Sequence, residues 1–299
     1  MQRLVVLVCV LLIAGVTGAY FERHTSESAD GVAVVRSSGL INSGDEQIYY
    51  ESAGEGDAIV LCHGAAGNHV VWYQQVPVLA QAYRVITWDQ RGWGVSTNHS
   101  GAAGPVAAVA DLQAILDHLR IDRVHLVGQS MGGWVALGFA VAHPERVRSL
   151  ILADSIAGIS TPETEHAMAA YLRHAAAEPA PEALPLGRHP ALSDELVQRD
   201  PARAFLYQEL SLLREPPAVG GSTQRHMTFG AESLARLTFP VLFIVGAEDR
   251  IFPPAAIHQA ATLVPHARVV EIAYAGHSPY FEQPEEWNQV VMRFLHAAP

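Results

Sequence analysis

From residue 58 to the C-terminus, short apolar runs alternate with stretches of helical periodicity, and few folds accept that rhythm. The runs lie at 58–62, 84–88, 123–127, 147–152, 241–245 and 268–272, with helical patterns at 74–81, 106–119, 134–142, 254–263 and 285–296. Alternation of this kind predicts an α/β fold: a mostly parallel twisted sheet with helices on both faces. Two further strands, at 32–36 and 47–52, are expected to pair antiparallel ahead of it.

The rhythm breaks once. From about 156 to 231 no strand-like run occurs, but Ser160-Thr161-Pro162-Glu163 and Asp200-Pro201 are helix-start signals, separated by proline-rich joints at 179–190 and followed by Pro216-Pro217. The expected organisation is a core of 32–155 and 232–299, interrupted after the sixth strand by a helical cap at 156–231. Such a cap would cover the C-terminal edge of the sheet, where open α/β sheets bind ligands.

Ahead of the core, residues 1–19 carry the apolar run Leu4 to Ala19 behind Arg3, with Thr17-Gly18-Ala19 resembling a small-residue cleavage site. This predicts a signal peptide and an exported, secreted or periplasmic protein, with an uncleaved membrane anchor as the alternative. Residues 20–31 read as a polar tether. Cleavage would remove Cys9 and leave Cys62 alone, so no intramolecular disulfide could form.

The formal charge of −11 without any basic cluster argues against nucleic acid or an anionic membrane surface as partners, leaving membrane contact to the possible N-terminal anchor. Each of the 19 basic residues is an arginine, which excludes chemistry that needs a lysine amine, including Schiff bases and the phosphate-binding P-loop. The oligomeric state is left open.

Gly128-Gln129-Ser130-Met131-Gly132-Gly133 joins the run at 123–127 to the helical stretch at 134–142. A serine on so sharp a strand-to-helix turn projects its hydroxyl clear of the sheet, and flanking glycines let the backbone pass without a Cβ clash. Ser130 is therefore the candidate nucleophile. Of the 15 histidines, His277 is the candidate base, because Tyr274-Ala275-Gly276-His277-Ser278-Pro279 forms a loop after the last strand, from which its ring could reach Ser130. Asp249, at the end of the preceding strand, is the expected carboxylate, with Glu248 and Asp154 as competing acids. The oxyanion donors are expected to be the backbone N–H groups of Met131 and of Ala65 in Cys62-His63-Gly64-Ala65-Ala66-Gly67. His63 is expected to brace that loop, and Cys62 reads as a small core residue.

With these motifs in place the chain resembles the α/β-hydrolase fold superfamily, over nearly everything from Val32 onward. The resemblance rests on His63-Gly64, Trp88-Asp89-Gln90-Arg91-Gly92-Trp93-Gly94-Val95-Ser96, the Ser130 turn, Gly246 with Asp249 and Pro253, and Gly276-His277. It implies that the Asp89 to Ser96 loop is structural, with Asp89 and Arg91 forming a pair. Serine in place of aspartate at the turn separates the chain from the superfamily's epoxide hydrolases and haloalkane dehalogenases.

The expected enzyme is a serine hydrolase that cleaves a small to medium, largely apolar carboxylic ester or related carbonyl substrate, through an acyl-enzyme and with no cofactor or metal. Apolar cap residues, with Trp72, Trp134, Phe205 and Tyr207 as candidate substrate contacts, would shape the pocket. Carbon–carbon hydrolysis of a vinylogous diketone is an alternative, disfavoured because similar enzymes carry tryptophan where this chain has Ser278. Lactonase, aminopeptidase and perhydrolase activities use the same core. A non-catalytic binding protein is the remaining alternative.

Overall fold

A computed structural model describes residues 22–27, 33–177, 184–213 and 227–298. The apolar segment at 1–19, the joint residues 179–183 and Pro216-Pro217 lie outside the described residues. Among the described residues no helix is long and apolar enough to cross a membrane.

The strands are β1 (Glu22–Glu27), β2 (Ala33–Ser43), β3 (Glu46–Ala53), β4 (Ala58–Cys62), β5 (Arg84–Trp88), β6 (Val124–Gln129), β7 (Val147–Ala153), β8 (Val241–Gly246) and β9 (Arg268–Ile272). They form one nine-stranded sheet in the order β1-β2-β3-β5-β4-β6-β7-β8-β9. From β5 to β9 the pairing is parallel; β1, β2 and β3 extend the sheet by antiparallel pairs.

Helices α1 (Val76–Leu79), α2 (Pro105–His118), α3 (Met131–Ala142), α8 (Pro254–Thr262), α9 (Pro279–Glu282) and α10 (Pro284–Ala297) belong to the core, and α4 (Pro162–Ala177), α5 (Asp194–Arg199), α6 (Pro201–Leu212) and α7 (Ala231–Leu234) lie between β7 and β8. A backbone bridge between Ile159 and Phe229 joins the two ends of this insertion.

Side chains alternate between the faces of a strand, and here both faces are covered. On β4, Ala58, Val60 and Cys62 pack into the apolar layer formed with α2, α3 and α8, whereas Ile59 and Leu61 enter the opposite layer with Trp72, Trp287 and Phe294. Strand β8 divides the same way, Phe243 to one layer and Leu242 and Ile244 to the other. Two-sided burial explains why these strands read as unbroken apolar runs.

Three expectations are corrected. Glu22–Glu27, read as part of a tether, pairs antiparallel with β2 through main-chain hydrogen bonds that need no apolar side chains, so the strand read as sixth is β7. Helix α3 starts at Met131 rather than Trp134, directly behind Ser130. Asp89 and Arg91 do not pair: Asp89 accepts from His69 and from the Val95 N–H, while Arg91 makes a two-point contact with Asp111 on α2. Each side chain is taken by partners brought from elsewhere in the chain, Asp89 by the loop after β4 and Arg91 by α2.

Candidate active site

Parallel strands end together, and loops after β4, β6, β7, β8 and β9 therefore converge on one edge of the sheet. Ser130 follows β6 with φ 48° and ψ −119°, a left-handed conformation costly for any residue with a Cβ. Its neighbours hold it there. The Ser130 N–H donates to the Ala153 carbonyl at 2.9 Å, and the Ser155 hydroxyl donates to the Ser130 carbonyl at 2.7 Å. Gly132 is required by space, since an added Cβ would run into the Cys62 carbonyl oxygen.

His277 brings Nε2 to 2.9 Å from the Ser130 hydroxyl oxygen, across 147 residues of chain. Its Nδ1 lies 2.8 Å from Asp249 Oδ2. A carboxylate there can only accept, so Nδ1 carries the proton and Nε2 is left as the acceptor for the serine hydroxyl. The other carboxylate oxygen, Asp249 Oδ1, accepts the N–H groups of Ile251 at 2.7 Å and Phe252 at 3.0 Å, which fixes the acid on its turn. Glu248 is exposed and points away. Asp154 is buried behind the pair and accepts the Gly246 N–H at 2.9 Å.

The loop after β4 supplies a second wall. His63 Nε2 accepts the Gln90 N–H at 3.0 Å, so its Nδ1 must hold the proton it donates to the Gly64 carbonyl at 2.8 Å. Burial lowers the ring's affinity for a second proton, so His63 is a neutral brace. The Gly67 N–H donates to the same carbonyl at 3.1 Å, turning it into the loop. The Ala65 and Met131 N–H groups find no protein acceptor among the described residues; Met131 opens α3, where unsatisfied donors are expected. A Cβ on Gly64 would stand 3.0 Å from Ser130 Cβ, so the loop lies directly against the nucleophile candidate.

The four expected substrate contacts separate. Tyr207, on α6, lies beside Gly64, Ala65 and Tyr280, and its hydroxyl is 2.8 Å from Ser278 Oγ. Trp134 is buried and forms one side of a cavity of about 380 Å³ with Ile156, Ile159, Met168 and Leu172. Trp72 is core, its ring 4.7 Å from that of Tyr280 and 6.0 Å from that of Trp287. Phe205 is on the outer side of α6, 39% exposed. Helical phase decides this: Ala204 and Gln208 face inward, which turns Phe205 out.

Three residues at the site were not singled out from the sequence. Phe252 sets its ring 5.7 Å from that of His277 and 6.0 Å from that of Trp134. Gln129 Nε2 donates to the His277 carbonyl at 2.9 Å. Glu282, wholly buried, accepts the Gly276 N–H at 2.8 Å. Its only signal in the sequence is an acid in a short segment between Pro279 and Pro284.

A model of the alpha/beta hydrolase family matches residues 59–290. A Mycobacterium tuberculosis protein provisionally named non-heme bromoperoxidase BpoC is 30% identical over 272 residues, covering 82% of this chain and 96% of that protein. A Stutzerimonas stutzeri protein provisionally named carbamate hydrolase RutD is 29% identical over 263 residues, covering 83% and 96%. Among solved structures, a thermophilic esterase from Thermogutta terrifontis superposes with a TM-score of 0.72 at 27% identity, covering 93% of this chain and 98% of its own.

Proposed function

The chain belongs to the alpha/beta hydrolase family, and from that premise we propose that it is a serine hydrolase acting on a small to medium, largely apolar ester or related carbonyl compound. The observation that supports the reading is the unbroken chain Ser130 Oγ, His277 Nε2, His277 Nδ1, Asp249 Oδ2, with contacts of 2.9 and 2.8 Å.

In this reading His277 takes the Ser130 proton as the hydroxyl attacks the carbonyl carbon, and Asp249 stabilises the imidazolium that forms. The oxyanion is held by the Ala65 and Met131 N–H groups. His277 then protonates the departing alcohol, and a water deprotonated by His277 releases the acid from Ser130. The insertion carrying α4, α5 and α6 acts as the cap, and the cavity behind Trp134 receives the apolar part of the substrate. A carbamate would follow the same acyl transfer, so the provisional name of the Stutzerimonas relative is compatible with this assignment.

The test is Ser130→Ala assayed on p-nitrophenyl acetate and butyrate, with fluorophosphonate labelling and circular dichroism alongside. Turnover and labelling should vanish while the spectrum is unchanged. Wild-type rates in that variant would refute the reading.

A further inference from the structure

His277 stands between two residues that are each tied to the inserted helices. On one side, Gly276 donates its N–H to Glu282 Oε1 at 2.8 Å, and the second oxygen of that carboxylate accepts the N–H of Ser193 at 2.9 Å. Ser193 caps α5, its hydroxyl accepting the Leu196 N–H at 3.1 Å. On the other side, Ser278 Oγ is 2.8 Å from the hydroxyl of Tyr207, midway along α6. The His277 carbonyl itself is held from the core by Gln129. Three consecutive residues of the histidine loop are thus clamped, and two of the three clamps lead to the insertion.

These contacts are costly for mere packing. Glu282, Ser278 and Ser193 are all buried, and among the described residues the Glu282 carboxylate is met by N–H and hydroxyl donors, with no cation paired to it. Burial pushes its carboxyl upward, the signature of a charge kept out of water. An apolar side chain could fill the same space without that penalty. What the carboxylate adds is direction: two oxygens accept from two separate segments and fix their relative position. There is also little room for the segments to slide, because a Cβ on Gly276 would stand 2.9 Å from the Ser193 nitrogen. Burial likewise holds the Tyr207 hydroxyl near 12, so it meets Ser278 as a neutral phenol.

We propose that Tyr207 and Glu282 are positioning residues for His277, so that its imidazole is aligned with Ser130 only while the insertion is docked. The proposal rests on the serine-hydrolase reading and deepens it: the cap holds the base in addition to covering the pocket. Because both act through the alignment of His277, which matters in the proton transfer and not in substrate affinity, removing either clamp should act on kcat rather than on KM.

The experiment compares Tyr207→Phe, Ser278→Ala, the double variant and Glu282→Gln. Each is assayed for kcat and KM on p-nitrophenyl acetate, which is too small to depend on cap contacts for binding. Proton NMR follows the low-field resonance of the His277 Nδ1–H bound to Asp249, a readout that needs no substrate. Loss of alignment by a fraction of an ångström should lower kcat about 10-fold for Tyr207→Phe and up to about 100-fold for Glu282→Gln, with KM within about 2-fold. The low-field resonance should shift or broaden in both.

The double variant should fall short of the product of the two single effects, since both delete the Tyr207–Ser278 bond, although each also loses a contact to the buried Tyr280 hydroxyl. Tyr207→Phe removes one oxygen and decides the matter even if Glu282→Gln is not recovered folded. An unchanged kcat and resonance in Tyr207→Phe, or a rise in KM alone, would overturn the proposal. A wild-type protein without ester turnover whose resonance still responds to these variants would refute the hydrolase reading and uphold the coupling.

Discussion

Asp154 and Asp249 bring one carboxyl oxygen each within 4.8 Å of one another and of a ring nitrogen of His277, in a buried site. They divide the work. Asp249 gives both oxygens to hydrogen bonds, one to His277 and one to its own turn. Asp154 gives one oxygen to the Gly246 N–H, and its Oδ2 has no hydrogen-bond partner among the described residues. Burial first, and then the negative charge of Asp249, push the Asp154 carboxyl well above the usual carboxylate range, so it keeps its proton to higher pH than an ordinary aspartate.

Asparagine substitutions should therefore separate the two. Asp249→Asn leaves His277 with the wrong tautomer, and kcat on p-nitrophenyl butyrate should fall by about 10⁴-fold. Asp154→Asn keeps an acceptor for Gly246 and leaves the His277–Asp249 bond in place, so kcat should stay within about 3-fold of wild type. A collapse of both to the same rate would show that Asp154 is an orienting acid.

The same substitution carries a stability prediction. A carboxyl pushed upward by the fold binds its proton more tightly there than when unfolded, so stability falls as pH rises above the ordinary value of 3.8. Asp154→Asn removes that loss. Urea midpoints should show the variant more stable than wild type at pH 7 to 8, with the gap closing toward pH 4. A gap independent of pH would contradict the upward push on the Asp154 carboxyl.

Glu46 behaves in the opposite sense. Its carboxylate accepts from the Thr97 hydroxyl at 2.6 Å, the His99 N–H at 2.9 Å, and the N–H and hydroxyl of Ser100, both at 2.8 Å. Although burial opposes the charge, these donors together hold the group down to about 2, from 4.5. The stabilisation is complete above pH 4.5 and is lost as pH falls toward 2. Glu46→Gln aims an amide donor at donors and should cost about 2 kcal/mol at pH 7. The difference between variant and wild type in urea unfolding should shrink at pH 3.5.

Trp134 stands between Phe252 and the cavity walled by Met168 and Leu172. Trp134→Ala should move the preferred p-nitrophenyl ester toward longer acyl chains, raising kcat/KM for the octanoate relative to the butyrate by about 10-fold. Stability should drop by about 3 kcal/mol, since a large buried aromatic is truncated. An unchanged chain-length profile would place the acyl group elsewhere.

Much of the frame was legible because it obeys local rules. The unbroken apolar run Ala58 to Cys62, buried on both faces, and the glycines around Ser130 each state a physical need that little else satisfies. What escaped depends on distant partners. Trp72 looked available to a pocket because nothing near it in the chain shows that Tyr280 and Trp287 will enclose it. Phe205 was turned outward by the phase of α6, which Ala204 and Gln208 reveal only once the neighbours of that helix are fixed. Glu282 reads like any surface acid until two segments, 89 and 6 residues away, lend it their N–H groups. Strand β1 escaped because backbone pairing can join a polar segment to a sheet without any apolar run to announce it.

The left-handed backbone at Ser130, φ 48° with ψ −119°, sets a price on the hydroxyl it displays. Glycine adopts that geometry freely, so Ser130→Gly should yield a chain that melts at a higher temperature and has nothing left to attack with. Selection for robustness alone would erase this serine; its presence in a costly posture means that some other demand on the molecule outweighs thermal endurance.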